Sequence, residues 1–279
     1  MTNAIVWKVP GAQEIWAVAD SRVSLPKKGD PSPRVTDQAT KIFSLEVSVH
    51  RQSVHDGSLE PVLTKRLGLC FAGAVVPALM TEAAVSMFLG SLLPERPRLP
   101  SMRDVANLIR HLSDKYTRDA SIAYQTSNPP YCEFVVFGSD ASELTSSDDS
   151  PAAYWIHPNN PNPEFHQVME PIDLEKGEIA AIGTDTQALR KEIVLLQKQE
   201  ISAWAGVEPR VALEKRIRSG THDTVGGTLQ FGILEKNHFK RYASVIDEHG
   251  DCRQNWLGFD YQQELADVIG MKIAIPALL

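Results

Sequence analysis

Cysteine is scarce. The 279 residues contain three, Cys70, Cys132 and Cys252, with no C-x-x-C spacing, which excludes a disulfide framework and a thiolate zinc site and fits a reducing compartment. A long apolar run is missing too. The most hydrophobic stretch, Leu67 to Met80, is 14 residues long, whereas a membrane-spanning helix needs about 20. The chain does not open on a basic segment followed by an apolar stretch and a cleavage site, so no secretory signal is read and a cytoplasmic, membrane-free location is expected. The eight histidines include no H-E-x-x-H or other paired ligand spacing, so no metal is expected. No G-x-S-x-G elbow and no phosphate-cradling glycine loop occur; a serine-hydrolase triad and a nucleotide cofactor are set aside on that ground. Excess positive charge is lacking as well. Lys plus Arg is 28 against 35 for Asp plus Glu, a net charge of -7, which argues against a nucleic-acid partner.

What is there reads as an ordinary globular chain. Hydrophobic residues make up 43% and charged residues 23%, with 17 Gly and 18 Pro. A chain of this length buries about three-quarters of its unfolded surface. Length alone allows one or two domains.

Hydrophobic patterning orders the chain into blocks. Ala4 to Val9 and Glu14 to Ala19 are apolar, β-rich runs around the turn Pro10-Gly11-Ala12-Gln13, a hairpin signal. Lys41 to Val49 alternates as a third strand, and Leu67 to Gly73 is a buried fourth. His50 to Thr64, polar with Gly57 and Pro61, reads as a loop or hairpin excursion. Pro77 opens a helix that exits at Gly90, and Ser101 with Asp104 forms a capping-box start for a second. Tyr131 to Phe137 is a strand, Ala152 to His157 a short one inside a Ser/Asp/Asn/Pro-rich insertion, and Glu178 to Ile182 another. Helices to about Gln199 and from Glu208 to Arg218 follow, and Val225 to Leu234 with Phe239 to Ile246 close the order. Strands, two helices, strands, two helices, strands: such segregation predicts an α+β protein with two antiparallel sheets and helices outside.

Three residues near the start suit one chemistry. Thr2 follows Met1; a small second residue favours methionine removal, which would leave a hydroxyl beside a free α-amine. That amine titrates near 7.7–8.0 and can act as a base, and a threonine hydroxyl paired with it is an established nucleophile. Asp20 ends the second strand and Lys41 begins the third. A buried lysine beside Thr2 would lower the pKa of hydroxyl and amine, with Asp20 holding the lysine charge in place.

These residues resemble a known family. Thr2, the A-V-A-D-S-R run ending at Arg22, T-K-I around Lys41 and L-G-L-C-F-A-G ending at Gly73 are similar to proteasome β-subunits and related bacterial threonine peptidases. Gly183-Thr184-Asp185 and His222-Asp223-Thr224-Val225-Gly226-Gly227 resemble two later segments of that family. The resemblance implies a four-layer αββα sandwich of two antiparallel sheets, the N-terminal-nucleophile hydrolase fold, over residues 2–246. Insertions would lie near 50–64 and 139–166, with a C-terminal extension over 247–279. It implies a threonine peptidase with Thr2 as nucleophile, Lys41 as activator, Asp20 as its partner and the Gly73 N–H in an oxyanion hole. Thr184 and Asp223 would support them. Peptide or unfolded-protein substrates, a homo-oligomeric ring and an ATPase partner are also implied. Thr184-Asp185 and Val225 depart from the family pattern, which keeps open a non-catalytic structural subunit of a proteasome-like assembly and a small-amide amidase of the same fold.

Overall fold

The computed structural model describes residues 2–25, 33–96, 98–125, 129–140, 150–159, 166–199, 206–248, 251–257, 259–264, 268 and 273–278. Met1 and most of the expected insertion at 139–166 lie outside them. The first strands are β1 (Asn3–Lys8), β2 (Ile15–Ala19), β3 (Val23–Ser24), β4 (Arg34–Thr36), β5 (Ile42–Gln52) and β6 (Leu59–Gly73). Helices α1 (Val75–Leu89) and α2 (Met102–Ala123) follow. Then come β7 (Cys132–Ser139), β8 (Pro151–Pro158), β9 (Gln167–Ile172), a 3-10 turn at Leu174–Lys176 and β10 (Ala180–Gly183). Helices α3 (Thr186–Lys198) and α4 (Glu208–Ser219) precede β11 (Gln230–Glu235), β12 (His238–Glu248), β13 (Asp251–Trp256), β14 (Phe259–Asp260), a short α5 (Tyr261–Glu264) and β15 (Ala277–Leu278).

The expectation of two separate sheets in a four-layer sandwich is corrected. Thirteen strands form one mixed sheet, in the order β10-β1-β2-β11-β12-β6-β7-β8-β9, with β5 on the side of β6. The join is a parallel contact between His238 and Arg66, whose N–H points to the Asn237 carbonyl. It exists because β6 is 15 residues long and reaches the turn between β11 and β12. The sheet curls over like an incompletely closed barrel, and its two ends, β9 and β10, line one cavity.

Three apolar clusters hold this shape. One lies inside the curl and joins Ala4, Val6, Ala17 and Ile182 to Cys70, Val135 and Phe137. A second packs α1 and α2 on β5 to β8, and a third packs α3 and α4 on β1, β2 and β11. Strands covered on both faces read as continuous apolar runs rather than alternating ones, which is why β1 and β2 are almost wholly buried.

Two local readings also change. β5 runs on to Gln52 and β6 starts at Leu59, so 50–64 is largely the end of a long hairpin. Residues 225–229 are not strand; β11 begins at Gln230, because the preceding backbone donates its hydrogen bonds elsewhere. No helix among the described residues is long and apolar enough to cross a membrane.

Candidate functional site

Strands β1 and β2 pair so that Ala4 faces Ala19, which sets Thr2 and Asp20 beside each other at one end of the sheet. Asp20 is fully buried. Its Oδ1 accepts from the Asn3 N–H at 2.9 Å and from Lys41 Nζ at 3.1 Å. Its Oδ2 accepts from the Arg22 N–H at 3.1 Å and the Gly226 N–H at 3.0 Å. The Lys41 ammonium also donates to the Arg22 carbonyl. Both charges are therefore paired and hydrogen-bonded, the condition under which burial is tolerated. Burial pushes the Asp20 carboxyl above its usual range and the Lys41 ammonium below its own; their mutual attraction opposes both shifts.

Gln230 completes the frame. Its Oε1 accepts from the Lys41 backbone N–H at 2.9 Å, and its Nε2 donates to the Asp20 and Ala39 carbonyls at 2.9 and 2.8 Å. Sequence reading passed over this residue; a lone glutamine opening an apolar strand was the available signal. Around it Arg22 pairs with Asp37 at 2.7 Å, and that contact, with Arg34, holds the Asp37 carboxyl below its usual range.

Thr2 is buried, and its carbonyl accepts from the Thr184 N–H at 2.8 Å. Gly183 makes this approach possible. Its φ of 100° favours glycine, and a Cβ there would overlap the Thr2 carbonyl oxygen. The same Cβ would lie 3.2 Å from the Cβ of Ala72, so the end of β6 lies beside this segment. Gly73 itself has φ 102° and no room for a Cβ against the Tyr131 carbonyl.

Asp20 thus joins the Asn3 N–H, next to Thr2, to Lys41 at the start of β5, and the Thr184 N–H meets the Thr2 carbonyl, while Gly73 follows Ala72, the β6 residue beside Gly183. Thr184 is not a helix cap; its hydroxyl lies 3.1 Å from that of Thr224, while Asp185 stands at the start of α3 without a side-chain cap. Asp223 enters through its backbone: its carbonyl accepts from Arg22 and Ser24, each at 3.4 Å. Cys70 is buried, and burial drives its thiol far above the ordinary value, so it is a core residue and no thiolate nucleophile. Among the described residues no cluster of three or more His, Cys, Asp or Glu side chains could hold a metal ion.

The fold is that of Anbu. The chain is 15% identical to the Anbu complex of Pseudomonas aeruginosa, described as a helical assembly; the match covers 99% of this chain and 98% of that one, with a TM-score of 0.55. Anbu, the ancestral beta-subunit, from Yersinia bercovieri is 12% identical over 98% and 99% of the two chains, with a TM-score of 0.50. No protein-family model matches the sequence. No curated protein matches it either. The assignment to the proteasome β-subunit and N-terminal-nucleophile family is corrected accordingly: at these identities what is shared with Anbu is fold alone, and short motifs at one sheet end do not establish a hydrolase family.

Proposed function

We propose that this chain is a self-associating subunit of an Anbu-like assembly. The observation that carries this reading is the outer face of α1. The helix buries Pro77, Ala78, Thr81, Val85 and Leu89 against the sheet, yet its outer side also carries Val76, Leu79, Met80, Met87 and Phe88, all exposed. Glu82 is its only charge. A helix apolar all round belongs in an interior, and an exposed apolar patch of this kind marks an interaction surface. On the opposite helical layer Val194 and Leu195 of α3 are exposed too. Two different apolar patches permit head-to-tail contacts, which close into rings or run on as helical filaments. The helical assembly of the Pseudomonas protein supports the same reading.

Light scattering across a concentration series tests it. The wild type should be larger than a 30.8 kDa monomer, and Met87→Glu with Phe88→Glu should reduce it towards that mass. A wild type that stays monomeric throughout overturns the reading.

A second reading is favoured by the buried Lys41–Asp20 pair beside Thr2: hydrolysis of a peptide amide. Thr2 Oγ would add to the carbonyl carbon while its proton passes to the neutral Thr2 α-amine freed by Met1 removal, with the Lys41 ammonium nearby as the activating charge. The Gly73 N–H would donate to the oxyanion. The C–N bond then breaks, the leaving nitrogen takes the proton, and water hydrolyses the ester to restore the hydroxyl. A threonine-directed β-lactone should label the wild type but not Thr2→Ala, and the intact mass should lack Met1. Absence of label in the assembled protein sinks this reading and leaves the structural one standing.

A further inference from the structure

The turn that grips Thr2 is held from several sides. Gly183 and Asp185 both stand in the left-handed region, with φ of 100° and 47°, a conformation that costs energy for a residue with a Cβ. Such backbone persists only where the surroundings fix it, and it gathers at functional sites. Here several elements fix it. The Gly183 N–H faces the Glu133 carboxyl of β7. The Thr184 N–H donates to the Thr2 carbonyl at 2.8 Å, and the Thr184 carbonyl accepts from Asn3 Nδ2 at 2.6 Å. The Thr184 and Thr224 hydroxyls lie 3.1 Å apart. The Asp185 carbonyl accepts from the Leu189 N–H at 3.1 Å and from Arg216 Nη1 at 3.3 Å.

Arg216 brings a charge into this packing. It stands in the last turn of α4 and is 3% exposed. Its Nε and Nη2 donate to the two carboxylate oxygens of Glu192 on α3, at 3.0 and 2.9 Å. Nη1 is then left for the Asp185 carbonyl. Tying α3 to α4 does not require this pair. Burying a charge is costly, and apolar residues of similar volume hold two helices as well or better; Leu189, Ile193, Ala212 and Leu213 already belong to the core that these helices share with the sheet. A guanidinium adds what apolar residues lack. It is a rigid planar fork with donors on two sides, so the Glu192 pair sets the plane in which Nη1 meets Asp185.

We propose that Arg216 is a positioning residue for Thr2. With its plane set by Glu192, it holds the Asp185 carbonyl. Through the Gly183–Asp185 turn it thereby fixes the Thr184 N–H that grips the Thr2 carbonyl, and so the backbone from which the Thr2 hydroxyl projects. Its part in chemistry rests on the amide-hydrolysis reading, whereas its hold on the turn does not.

Two measurements on the full chain test it, in the wild type, Arg216→Met, Arg216→Lys and Arg218→Met. Methionine fills the volume without donors. Lysine keeps a charge opposite Glu192 but lacks the second arm for Asp185. Arg218, exposed and paired with Glu214 one turn back, is the control for losing an ion pair on the same helix. Hydrogen exchange at the Thr184 amide should accelerate by about ten-fold or more in Arg216→Met, the worth of one hydrogen bond to a charged group. Arg216→Lys should accelerate it too, and Arg218→Met should not. The change must exceed any at Leu69, deep in β6, which reports general loosening. Labelling of Thr2 by the β-lactone should reach a maximal rate lowered by about ten-fold in Arg216→Met, at a half-saturating concentration within about two-fold of wild type, because orientation is lost and access is not.

A Thr184 exchange rate that is unchanged in Arg216→Met, or raised no more than that of Leu69, overturns the proposal whatever the label does. So does an accelerated Thr184 with an unchanged maximal labelling rate. If Arg216→Met does not fold, Arg216→Lys carries both measurements, and wild-type values in it overturn the proposal. A wild type that takes no label overturns the hydrolytic reading and with it the part of Arg216 in that chemistry; accelerated exchange at Thr184 then shows that the chemistry failed and the hold on the turn did not.

Discussion

The Lys41 ammonium lies 3.1 Å from the Asp20 carboxylate, and neither side chain is exposed to solvent. A buried pair of this kind is an uncertain source of stability, but breaking it from one side is expensive. Lys41→Met leaves the Asp20 charge buried with only the N–H groups of Asn3, Arg22 and Gly226. The expected loss is about 3–5 kcal/mol in urea unfolding. Asp20→Asn combined with Lys41→Met should recover part of it, since no uncompensated charge remains. Equal stability of wild type and Lys41→Met would refute the account.

Gly183→Ala should be among the most damaging single methyl additions in the chain. The backbone there has φ 100°, and the added Cβ would overlap the Thr2 carbonyl. The Thr184 N–H to Thr2 bond must then break or β1 must shift. Hydrogen exchange at Thr184 should accelerate, together with a loss of roughly 2–4 kcal/mol. By contrast Gly177→Ala, with nothing within 4 Å of its Cβ, should cost only its backbone strain, about 1 kcal/mol.

Tyr242 donates to Glu235 at 2.9 Å, and burial with that carboxylate pushes its phenol up to about 12. The folded value lies above the ordinary one near 10. Stability from this proton is therefore fully present below pH 10 and is lost as the pH rises towards 12. The stability difference between wild type and Tyr242→Phe should be constant from pH 7 to 9 and then shift against the wild type. A difference that stays flat to pH 12 would refute the assignment.

Ser101 caps α2: its Oγ accepts from the Asp104 N–H at 3.1 Å, and Asp104 Oδ2 accepts from the Ser101 N–H at 3.3 Å. Ser101→Ala should cost about 1 kcal/mol. Ser101→Thr should retain most of the stability, because its hydroxyl accepts the same bond and still donates to Asp104 Oδ2.

Local chemistry was legible wherever neighbouring residues carry the cause. Ser101-x-x-Asp104 announces the start of α2, Pro209 the first turn of α4 and Gly220 its left-handed end. Thr2, Asp20 and Lys41 could be put together because each stands at the end or start of a readable strand. The later segment was less legible. Val225 and Leu229 are apolar and looked like strand, but the Gly226 N–H is taken by Asp20 and the Ser21 hydroxyl takes that of Thr228, so no ladder forms there. Asp223 likewise looked like a carboxylate in waiting, yet its carbonyl makes the contacts.

The sequence by itself determined the strand and helix blocks, the caps and the small set of charged residues near the start. Those depend on side-chain periodicity and on partners a few positions away. Only the tertiary structure decided that the strands make one curled sheet rather than two, through a contact between His238 and Arg66, 172 positions apart in the chain. The same is true of the Gln230 frame and the second apolar face of α1. Their meaning depends on what does or does not lie across from them, and a sequence pattern records which residues avoid water without recording what they meet.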